Sequence, residues 1–221
     1  MPIAGRAVDL RILPPGAPGP GPLVGRIGCE RIPAGKAGSQ VNEELLARAA
    51  RVRVLIMDVD GVLTDGTFWQ VPDGQGGMVE AKAFDSQDGI ALKWLREAGI
   101  AGGVISGRDS PAVEERARSA GFAHIYQGHV EKVPILEEII EKAGVSADQV
   151  AYVGDDYTDV VIMHRVGLAV ATANASPEVK AEADHVTTRA GGQGAIREVV
   201  ELLLRAQGRW DGILAHYEIG R

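Results

Sequence analysis

Short apolar runs alternate with helix-like segments along most of the chain. A short apolar run bounded by polar residues is a candidate for a buried strand, whereas a longer amphipathic stretch favours a helix. The apolar runs lie at residues 52–57, 101–105, 123–126, 150–153, 168–171 and 185–187, and the helix-like segments at residues 43–50, 89–97, 111–119, 133–143, 157–165, 177–183 and 195–206. Strand and helix therefore follow one another in series.

This serial order predicts the fold class. Two parallel strands joined through a helix form a crossover unit, and a series of such units builds a parallel sheet with helices on both faces. Because the crossovers are right-handed, the sheet is doubly wound. We therefore expect an α/β protein, with a doubly wound parallel sheet in a three-layer sandwich.

One segment between Thr67 and Phe84 interrupts the alternation. Residues 68–71 and 78–83 have the character of strands, and the turn-rich residues 72–77 lie between them. Two short strands around a Gly/Pro turn predict a projecting β-hairpin. We place this hairpin at residues 66–84.

The amino-terminal part of the chain differs in composition from the rest. Residues 1–40 contain seven of the eleven prolines, eight glycines and no aromatic residue. Such a composition cannot bury a core and favours a disordered or irregular segment. We therefore divide the chain into a leader at residues 1–42, one domain at residues 43–210 and a tail at residues 211–221.

Charge and cysteine content exclude several classes of protein. The net charge is −7, and since residues 1–40 hold five basic and two acidic residues, the other 181 residues carry −10. This balance argues against nucleic acid as a partner. No apolar run reaches the roughly 18 residues that span a bilayer, so we expect no membrane association and a cytoplasmic location. With Cys29 as the single cysteine, a bound metal would need oxygen ligands.

Polar residues gather where the predicted strands end. In an open parallel sheet, ligands bind beyond the carboxyl ends of the strands. The residues at these ends, and before the helix that precedes the 150–153 strand, are Asp58, Asp60, Ser106, Gly107, Arg108, Lys132, Asp155, Asp156 and Asp159. Singly, each is explained as a turn, a helix cap or a solvated charge. Together they predict one site.

The clustered acids predict a cation and a phosphoryl-transfer reaction. Asp58, Asp60 and Asp155 bring about three negative charges together, which repel unless a hard cation lies among them, and Mg²⁺ suits oxygen ligands. A carboxylate can attack phosphorus while a second carboxyl group exchanges protons with the leaving oxygen and water. Asp58 is the candidate nucleophile and Asp60 the acid/base. Ser106 would bind phosphoryl oxygens, and Lys132 would neutralise developing charge.

These motifs resemble a known superfamily. DVDGVLT, ISGR, Lys132 and GDDYTD, in this order over about residues 50–210, are similar to the four motifs of the haloacid dehalogenase superfamily of phosphotransferases. The resemblance implies that Asp58, the main-chain carbonyl of Asp60 and Asp155 contact the metal. It implies that Asp156 and Asp159 support the site.

Insert lengths and further motifs narrow the resemblance to one subgroup. The segment between Asp60 and Ser106 has room for the hairpin but not for a helical cap domain. DGTFW, KAFDSQDG, VISGR, YQGHVEK, AYVGDDYTD, AGGQGAIRE and LLRAQG resemble the capless phosphatases that hydrolyse 3-deoxy-D-manno-octulosonate 8-phosphate in lipopolysaccharide biosynthesis. That family implies a homotetramer in which hairpins help to cover neighbouring sites. It implies substrate contacts at Asp60, Asp85, Ser86, Gln87, Asp88, Gly89, Lys93, Gly107, Arg108, Arg116 and Lys132.

Three positions depart from this family. Gln87, Lys93 and Gln193 stand where it usually carries Arg, and neither Lys nor Gln replaces Arg at a bidentate carboxylate site. A nine-carbon sugar acid 9-phosphate or another small phosphate monoester therefore stays as an alternative substrate. The alternatives from other classes are a signalling receiver domain, which keeps the phosphoryl group it accepts, and a non-catalytic assembly module. Turnover with Mg²⁺ separates them.

Overall fold

The computed structural model describes the backbone of residues 38–220 and the side chains of residues 43–220. Most of the predicted leader, residues 1–42, lies outside the described residues. Where the description begins, the chain is already helical, since helix α1 spans Gly38–Arg51. This helix therefore starts ahead of residue 43, where the hydrophobic pattern placed its beginning.

The described part of the chain holds eight strands and eight α-helices. The strands are β1 (Val54–Met57), β2 (Trp69–Pro72), β3 (Met78–Ala81), β4 (Ala101–Ile105), β5 (His124–Tyr126), β6 (Val150–Gly154), β7 (Leu168–Ala171) and β8 (His185–Val186). The helices after α1 are α2 (Ser86–Glu97), α3 (Pro111–Ala120), α4 (Val133–Ala143), α5 (Tyr157–Met163), α6 (Pro177–Ala181), α7 (Ala195–Ala206) and α8 (Trp210–His216). A short 3₁₀ turn, Ala147–Gln149, precedes β6.

Six of the strands form one parallel sheet in the order β5-β4-β1-β6-β7-β8. Strand β1 lies at its centre, and Met57 is in register with Val104 of β4 and Val153 of β6. The carboxyl ends of these three strands therefore meet at one edge. The order reverses direction at β1, which is the arrangement of a doubly wound sheet. The predicted fold class is confirmed.

Helices cover both faces of the sheet. Side chains alternate along a strand, so Leu55 and Met57 belong to one core cluster while Val54 and Ile56 belong to the other. The first cluster includes side chains of α1, α2, α3 and α7, and the second includes side chains of α4, α5 and α6. All four β1 residues are buried. This central strand therefore gives the site a rigid base.

Strands β2 and β3 form the predicted projecting hairpin as a separate antiparallel sheet. Trp69 pairs with Ala81, and Gln70 with Glu80. Alternation puts Trp69, Val71 and Val79 on one face, and all three are exposed. This apolar outer face has no cap domain over it in the described part of the chain.

The predicted tail, residues 211–221, begins inside a helix. Residues 210–216 form α8, and Trp210 is buried with its ring centroid 5.7 Å from that of Trp94. Trp94 Nε1 donates a hydrogen bond to the Tyr217 hydroxyl at 3.2 Å. The tail therefore closes the core beside α2 because its aromatic residues bury apolar surface there. None of the helices described here is long and apolar enough to cross a bilayer.

Candidate active site

The loop after β1 turns sharply and carries the acids Asp58 and Asp60. Its backbone is held by the Val59 carbonyl, which accepts hydrogen bonds from the N–H groups of Val62, Leu63 and Thr64 at 3.2, 2.9 and 3.0 Å. Gly61 has a φ of +88°, a conformation that favours glycine. The turn therefore directs both acids beyond the sheet edge, as the sequence predicts.

Gly61 also allows the end of β6 to approach this loop. A Cβ atom at Gly61 would lie 2.0 Å from Asp155 Oδ2. The Gly61 carbonyl accepts hydrogen bonds from Thr172 Oγ1 at 3.3 Å and from Asn174 Nδ2 at 2.9 Å. Sequence analysis missed Thr172 and Asn174, although they follow the carboxyl end of β7 and the rule applied to the other strand ends would have found them.

Lys132 is buried among three oxygen atoms. Its Nζ donates to Asp58 Oδ1 at 2.8 Å, to Asp159 Oδ1 at 2.7 Å and to the Tyr152 hydroxyl at 3.1 Å. An ammonium group has three donors, so these partners satisfy it. The structure thus brings the predicted Lys132 directly to the predicted nucleophile.

Asp159 is fully buried, and its carboxylate is fully engaged. Oδ1 accepts from Lys132 and from the Tyr152 hydroxyl, the latter at 2.7 Å, while Oδ2 accepts from the N–H groups of Asp155 and Asp156 at 2.9 and 3.1 Å. Asp159 therefore orients Lys132 and the loop that carries Asp155. Sequence analysis did not find Tyr152, because it lies within an apolar strand.

Asp156 begins helix α5. Its side chain accepts a hydrogen bond from the Tyr157 N–H at 2.7 Å. With Asp159 it forms a capping box, in which the two side chains bond reciprocally to backbone N–H groups. Asp156 and Asp159, to which the superfamily resemblance gives a supporting role, therefore both hold the start of α5 next to Asp155.

The electrostatics of the site favour an added positive charge. Burial raises the pKa of Asp58 to about 6, although Lys132 opposes the shift. Burial, with the neighbouring charges of Asp159 and Asp58, raises the pKa of Asp155 to about 7. Burial disfavours the ammonium form of Lys132, but Asp58 and Asp159 outweigh it and raise its pKa. The single Lys132 charge therefore does not balance the carboxylates around it.

Two carboxylates lie where a cation would bind, and one of them has a buried oxygen without a hydrogen-bond donor among the described residues. Oxygen atoms of Asp58, Asp155 and Asp159 lie within 4.8 Å of one another. The oxygens of Asp159 are already used by its hydrogen-bond donors, whereas Asp155 Oδ1 is buried without a hydrogen-bond partner among the described residues. Asp58 and Asp155 therefore fit the predicted metal contacts, since hard cations bind carboxylate oxygens.

The side chain of Asp60 lies against the base of the hairpin. Its Oδ1 contacts Lys82 Nζ, and its Oδ2 lies 3.7 Å from Arg108 Nε. Arg108 Nη2 also donates to Glu80 Oε2 at 2.5 Å. The structure therefore brings together Asp60 and the predicted Arg108, and it adds Glu80 and Lys82, which sequence analysis missed.

Comparison with known proteins places the chain in a family. The sequence profile of haloacid dehalogenase-like hydrolases matches residues 112–199. The 3-deoxy-D-manno-octulosonate 8-phosphate phosphatase KdsC of Escherichia coli K12 is 42% identical over 171 residues, which cover 77% of this chain and 89% of that protein. The chain belongs to the 3-deoxy-D-manno-octulosonate 8-phosphate phosphatase family of haloacid dehalogenase-like hydrolases.

Solved structures of this phosphatase family share the fold. The Yersinia pestis phosphatase is 40% identical, with a TM-score of 0.73, and the match covers 77% of this chain and 90% of that one. The Moraxella catarrhalis phosphatase, solved with magnesium, phosphate and KDO, is 36% identical with a TM-score of 0.74, over 79% and 98% of the two chains. The superfamily and subgroup indicated by the motifs are confirmed.

Ser106 and Gly107 directly follow β4, the strand that pairs with β1. Ser106 is buried, and its Oγ accepts a hydrogen bond from the Arg108 N–H at 3.2 Å. Its own backbone N–H donates to the Tyr126 carbonyl at 2.9 Å. The hydroxyl hydrogen has no acceptor among the described residues, so it can be donated to a phosphoryl oxygen, the role that the sequence predicts for Ser106.

The segment predicted to contact substrate forms the start of α2. Asp85 caps this helix by accepting from the N–H groups of Gln87 and Asp88 at 2.6 and 3.0 Å, and Ser86 is its first residue. Arg116 Nη2 donates to the Asp85 carbonyl at 3.3 Å, and a Cβ at Gly89 would lie 2.6 Å from that nitrogen. The structure thus gathers Asp85, Gly89 and Arg116 into one cluster.

Asp88 and Lys93, which are also predicted to contact substrate, have partners outside this cluster. Asp88 is buried and accepts from the Arg197 N–H at 2.7 Å. Lys93 pairs with Glu97 of its own helix at 3.7 Å, with 49% of its side chain exposed. Neither contact joins these residues to Asp58. Their substrate role stays a prediction.

Gln87, one of the departures from the family pattern, has a charged neighbour. Arg189 Nη1 donates to Gln87 Oε1 at 3.0 Å. Arg189 comes from the segment between β8 and α7, which sequence analysis did not connect with Gln87. A guanidinium group therefore lies at this position even though Gln87 itself carries no charge.

Proposed function

We propose that the protein is a Mg²⁺-dependent phosphatase that hydrolyses 3-deoxy-D-manno-octulosonate 8-phosphate. The observation that carries this proposal is the pairing of Asp58 with Lys132 at 2.8 Å beside Asp155, at the carboxyl edge of the sheet. This arrangement suits transfer of a phosphoryl group to a carboxylate. The names of the relatives in the same family support the sugar-acid substrate.

In the first half of the reaction, Asp58 is the nucleophile. One carboxylate oxygen forms a bond to phosphorus, and the bond between phosphorus and the sugar oxygen breaks. Asp60 gives its proton to that leaving oxygen. The products of this half are the free sugar acid, an aspartyl phosphate at Asp58 and an ionised Asp60.

In the second half, water releases the phosphate. Asp60 accepts a proton from the water molecule as the water oxygen bonds to phosphorus. The bond between phosphorus and the Asp58 oxygen then breaks. Inorganic phosphate leaves, and both carboxyl groups return to their starting states.

Lys132 and Ser106 act on the charge of the phosphoryl group. The Lys132 ammonium faces Asp58 and is held there by Asp159 and Tyr152, so it needs no rearrangement during transfer. The Ser106 hydroxyl can donate to a non-bridging oxygen. Asp58, Asp155 and the Asp60 carbonyl would hold Mg²⁺, which would supply positive charge to the phosphoryl oxygens.

We further propose a homotetramer. The hairpin exposes Trp69 by 66%, Val79 by 49% and Val71 by 40% on its outer face, and exposed apolar surface of this kind marks an interface. The family resemblance supplies the number of subunits. In this assembly the outer face packs against the hairpins of neighbouring copies.

The decisive experiment measures phosphate release from a series of phosphorylated sugars with Mg²⁺. We expect the highest kcat/KM for 3-deoxy-D-manno-octulosonate 8-phosphate. A higher kcat/KM for a nine-carbon sugar acid 9-phosphate would still support a phosphatase, but it would identify a different substrate. Stable phosphorylation without turnover would instead favour a receiver domain, and a folded protein without either activity would favour an assembly module.

A further inference from the structure

The base of the hairpin carries a buried lysine to which the mechanism above gives no role. Lys82 directly follows β3, and none of its side-chain surface is exposed. Its Nζ contacts Asp60 Oδ1 and lies 3.5 Å from Glu80 Oε1. Burying an ammonium group is costly unless carboxylates compensate it. Glu80 supplies this charge even when Asp60 carries its proton, so Lys82 is held at Asp60 in both protonation states.

Arg108 completes a cluster of alternating charges. It lies between Glu80 and Asp60, with distances of 2.5 Å to Glu80 Oε2 and 3.7 Å to Asp60 Oδ2. Its guanidinium carbon lies 4.0 Å from the centre of the Phe68 ring. Phe68, Glu80 and Lys82 therefore connect both strands of the hairpin to the loop that carries Asp60.

Each of the two acids proposed for catalysis thus contacts a lysine of its own. Lys132 holds Asp58 from the helical side, and Lys82 holds Asp60 from the hairpin. In the described part of the chain, the partners of the Asp60 carboxylate are Lys82 and Arg108. Since 46% of the Arg108 side chain is exposed and that of Lys82 is buried, Lys82 is the more rigid support.

We propose that Lys82 is a positioning residue for Asp60. The base of the hairpin fixes the Asp60 carboxyl group where it can give a proton to the leaving oxygen, within the same chain. The outer face of the hairpin is left for contacts with other chains. This inference rests on the proposed function, because it assigns Lys82 to the acid step of that reaction.

The leaving group distinguishes this role from a general structural one. A sugar oxygen leaves poorly without a proton, so its departure depends on a well-placed acid. p-Nitrophenolate is a stable anion that needs no proton. Loss of Lys82 should therefore slow phosphoryl transfer from the sugar phosphate but not from p-nitrophenyl phosphate.

The test measures a single turnover by rapid mixing, with enzyme in excess over each substrate. This isolates the first half of the reaction from the second, in which Asp60 acts as a base. For Lys82→Met we expect release of the sugar to slow about 100-fold, the size of effect that a small misplacement produces. The rate of p-nitrophenolate release should change less than about threefold, because this leaving group needs no proton from Asp60.

Two further variants complete the test. Lys82→Arg keeps the positive charge and should restore part of the rate with the sugar phosphate, so it tests the proposal even where Lys82→Met does not fold. Lys142→Met is the matched control, because Lys142 also pairs with a carboxylate, Glu138, at 2.5 Å but lies in the last turn of α4. It should leave both rates unchanged.

Equal loss with both substrates in Lys82→Met or Lys82→Arg would overturn the proposal and indicate a general disturbance of the site. Unchanged rates in a folded Lys82→Met protein would overturn it as well. If the unaltered protein releases neither product with Mg²⁺, the proposed function itself fails. That result is distinct from either outcome for Lys82.

Discussion

Lys132 Nζ lies 2.8 Å from Asp58 Oδ1, although 74 residues separate them in the chain. The two meet because β1 ends at the sheet edge beside the start of α4. Asp159 and Tyr152 fix the lysine from the other side. The nucleophile proposed here is thus paired with a cation that a buried network holds in place.

Asp58→Asn should abolish turnover while the fold persists. An amide cannot attack phosphorus, and loss of a nucleophile lowers kcat by at least about 10³-fold. Lys132 keeps its contact with Asp159, so the circular dichroism spectrum should not change. Asp65→Asn, at an exposed carboxylate in the same loop region, serves as the control. Near-normal phosphate release by a folded Asp58→Asn protein would contradict the assignment.

Tyr152→Phe should weaken the support of Lys132 and Asp159. The change removes a 2.7 Å hydrogen bond to Asp159 and the 3.1 Å contact with Lys132. A hydrogen bond to a charged group stabilises by about 2 kcal/mol, so the free energy of unfolding should fall by this order. A loss of about 1.4 kcal/mol in the transition state would lower kcat about tenfold.

Tyr126→Phe is the matched control for this change, since the Tyr126 hydroxyl also donates to a carboxylate, Glu138 Oε1, at 2.9 Å. Denaturant unfolding and steady-state kinetics measure the two effects. If both Tyr→Phe changes leave kcat equal to that of the unaltered protein, Tyr152 has no role in the site.

Chelation should stop catalysis, and Mg²⁺ should restore it. Asp155 Oδ1 is buried without a hydrogen-bond partner in the described structure, so Mg²⁺ binding should also stabilise the fold. At 100 times its Kd, a ligand adds about 2.7 kcal/mol, which a rise in Tm will report. Asp155→Asn should remove most of this rise. Ca²⁺ should raise Tm without supporting turnover, because its coordination is looser. Full activity after exhaustive chelation would exclude the metal.

Asp88 should make stability depend on pH. Burial raises the pKa of its carboxyl group from 3.8 to about 6. The stability that the protonated form contributes is therefore complete below pH 3.8 and is lost as the pH rises to about 6. Two units correspond to roughly 3 kcal/mol.

Asp88→Asn should remove this dependence, since the amide oxygen can still accept from the Arg197 N–H. Relative to the unaltered protein, the variant should gain stability between pH 4 and pH 7, measured by denaturant unfolding at each pH. Asp211→Asn, at an exposed acid of α8, is the control. If the free energy of unfolding depends on pH in the same way in the unaltered protein and in Asp88→Asn, the prediction of a raised Asp88 pKa is wrong.

Charges on the outer face of the hairpin should reduce the size of the oligomer. Trp69→Glu combined with Val79→Glu places two carboxylates on the proposed interface, while Gln75→Glu at the hairpin turn adds charge away from it. Sedimentation velocity should show smaller species for the double variant alone. Its kcat/KM should also fall, although no proposed chemical group has changed. Sedimentation of the unaltered protein as a fully active monomer at micromolar concentration would contradict the proposed homotetramer.

The sequence alone was sufficient for the order of the main elements and for the central acids. Strands 101–105 and 168–171 and helices 133–143 and 195–206 have the bounds that the hydrophobic pattern predicts. Strand carboxyl ends meet at one edge of a parallel sheet, so the sequence alone predicts that Asp58 and Asp155 lie together. Motif order then identified the superfamily.

Only the tertiary structure decided which side chains complete the site. Tyr152 lies in an apolar strand and Lys82 in a hairpin, and no local pattern connects them with Asp58 or Asp60. Their contacts depend on how distant segments pack. A hydrogen bond requires its donor and acceptor to be placed to within a few tenths of an ångström, and periodicity does not encode that precision. The sequence determined where the acids lie, because strand ends are set by local hydrophobicity. The packed fold determined what holds them there.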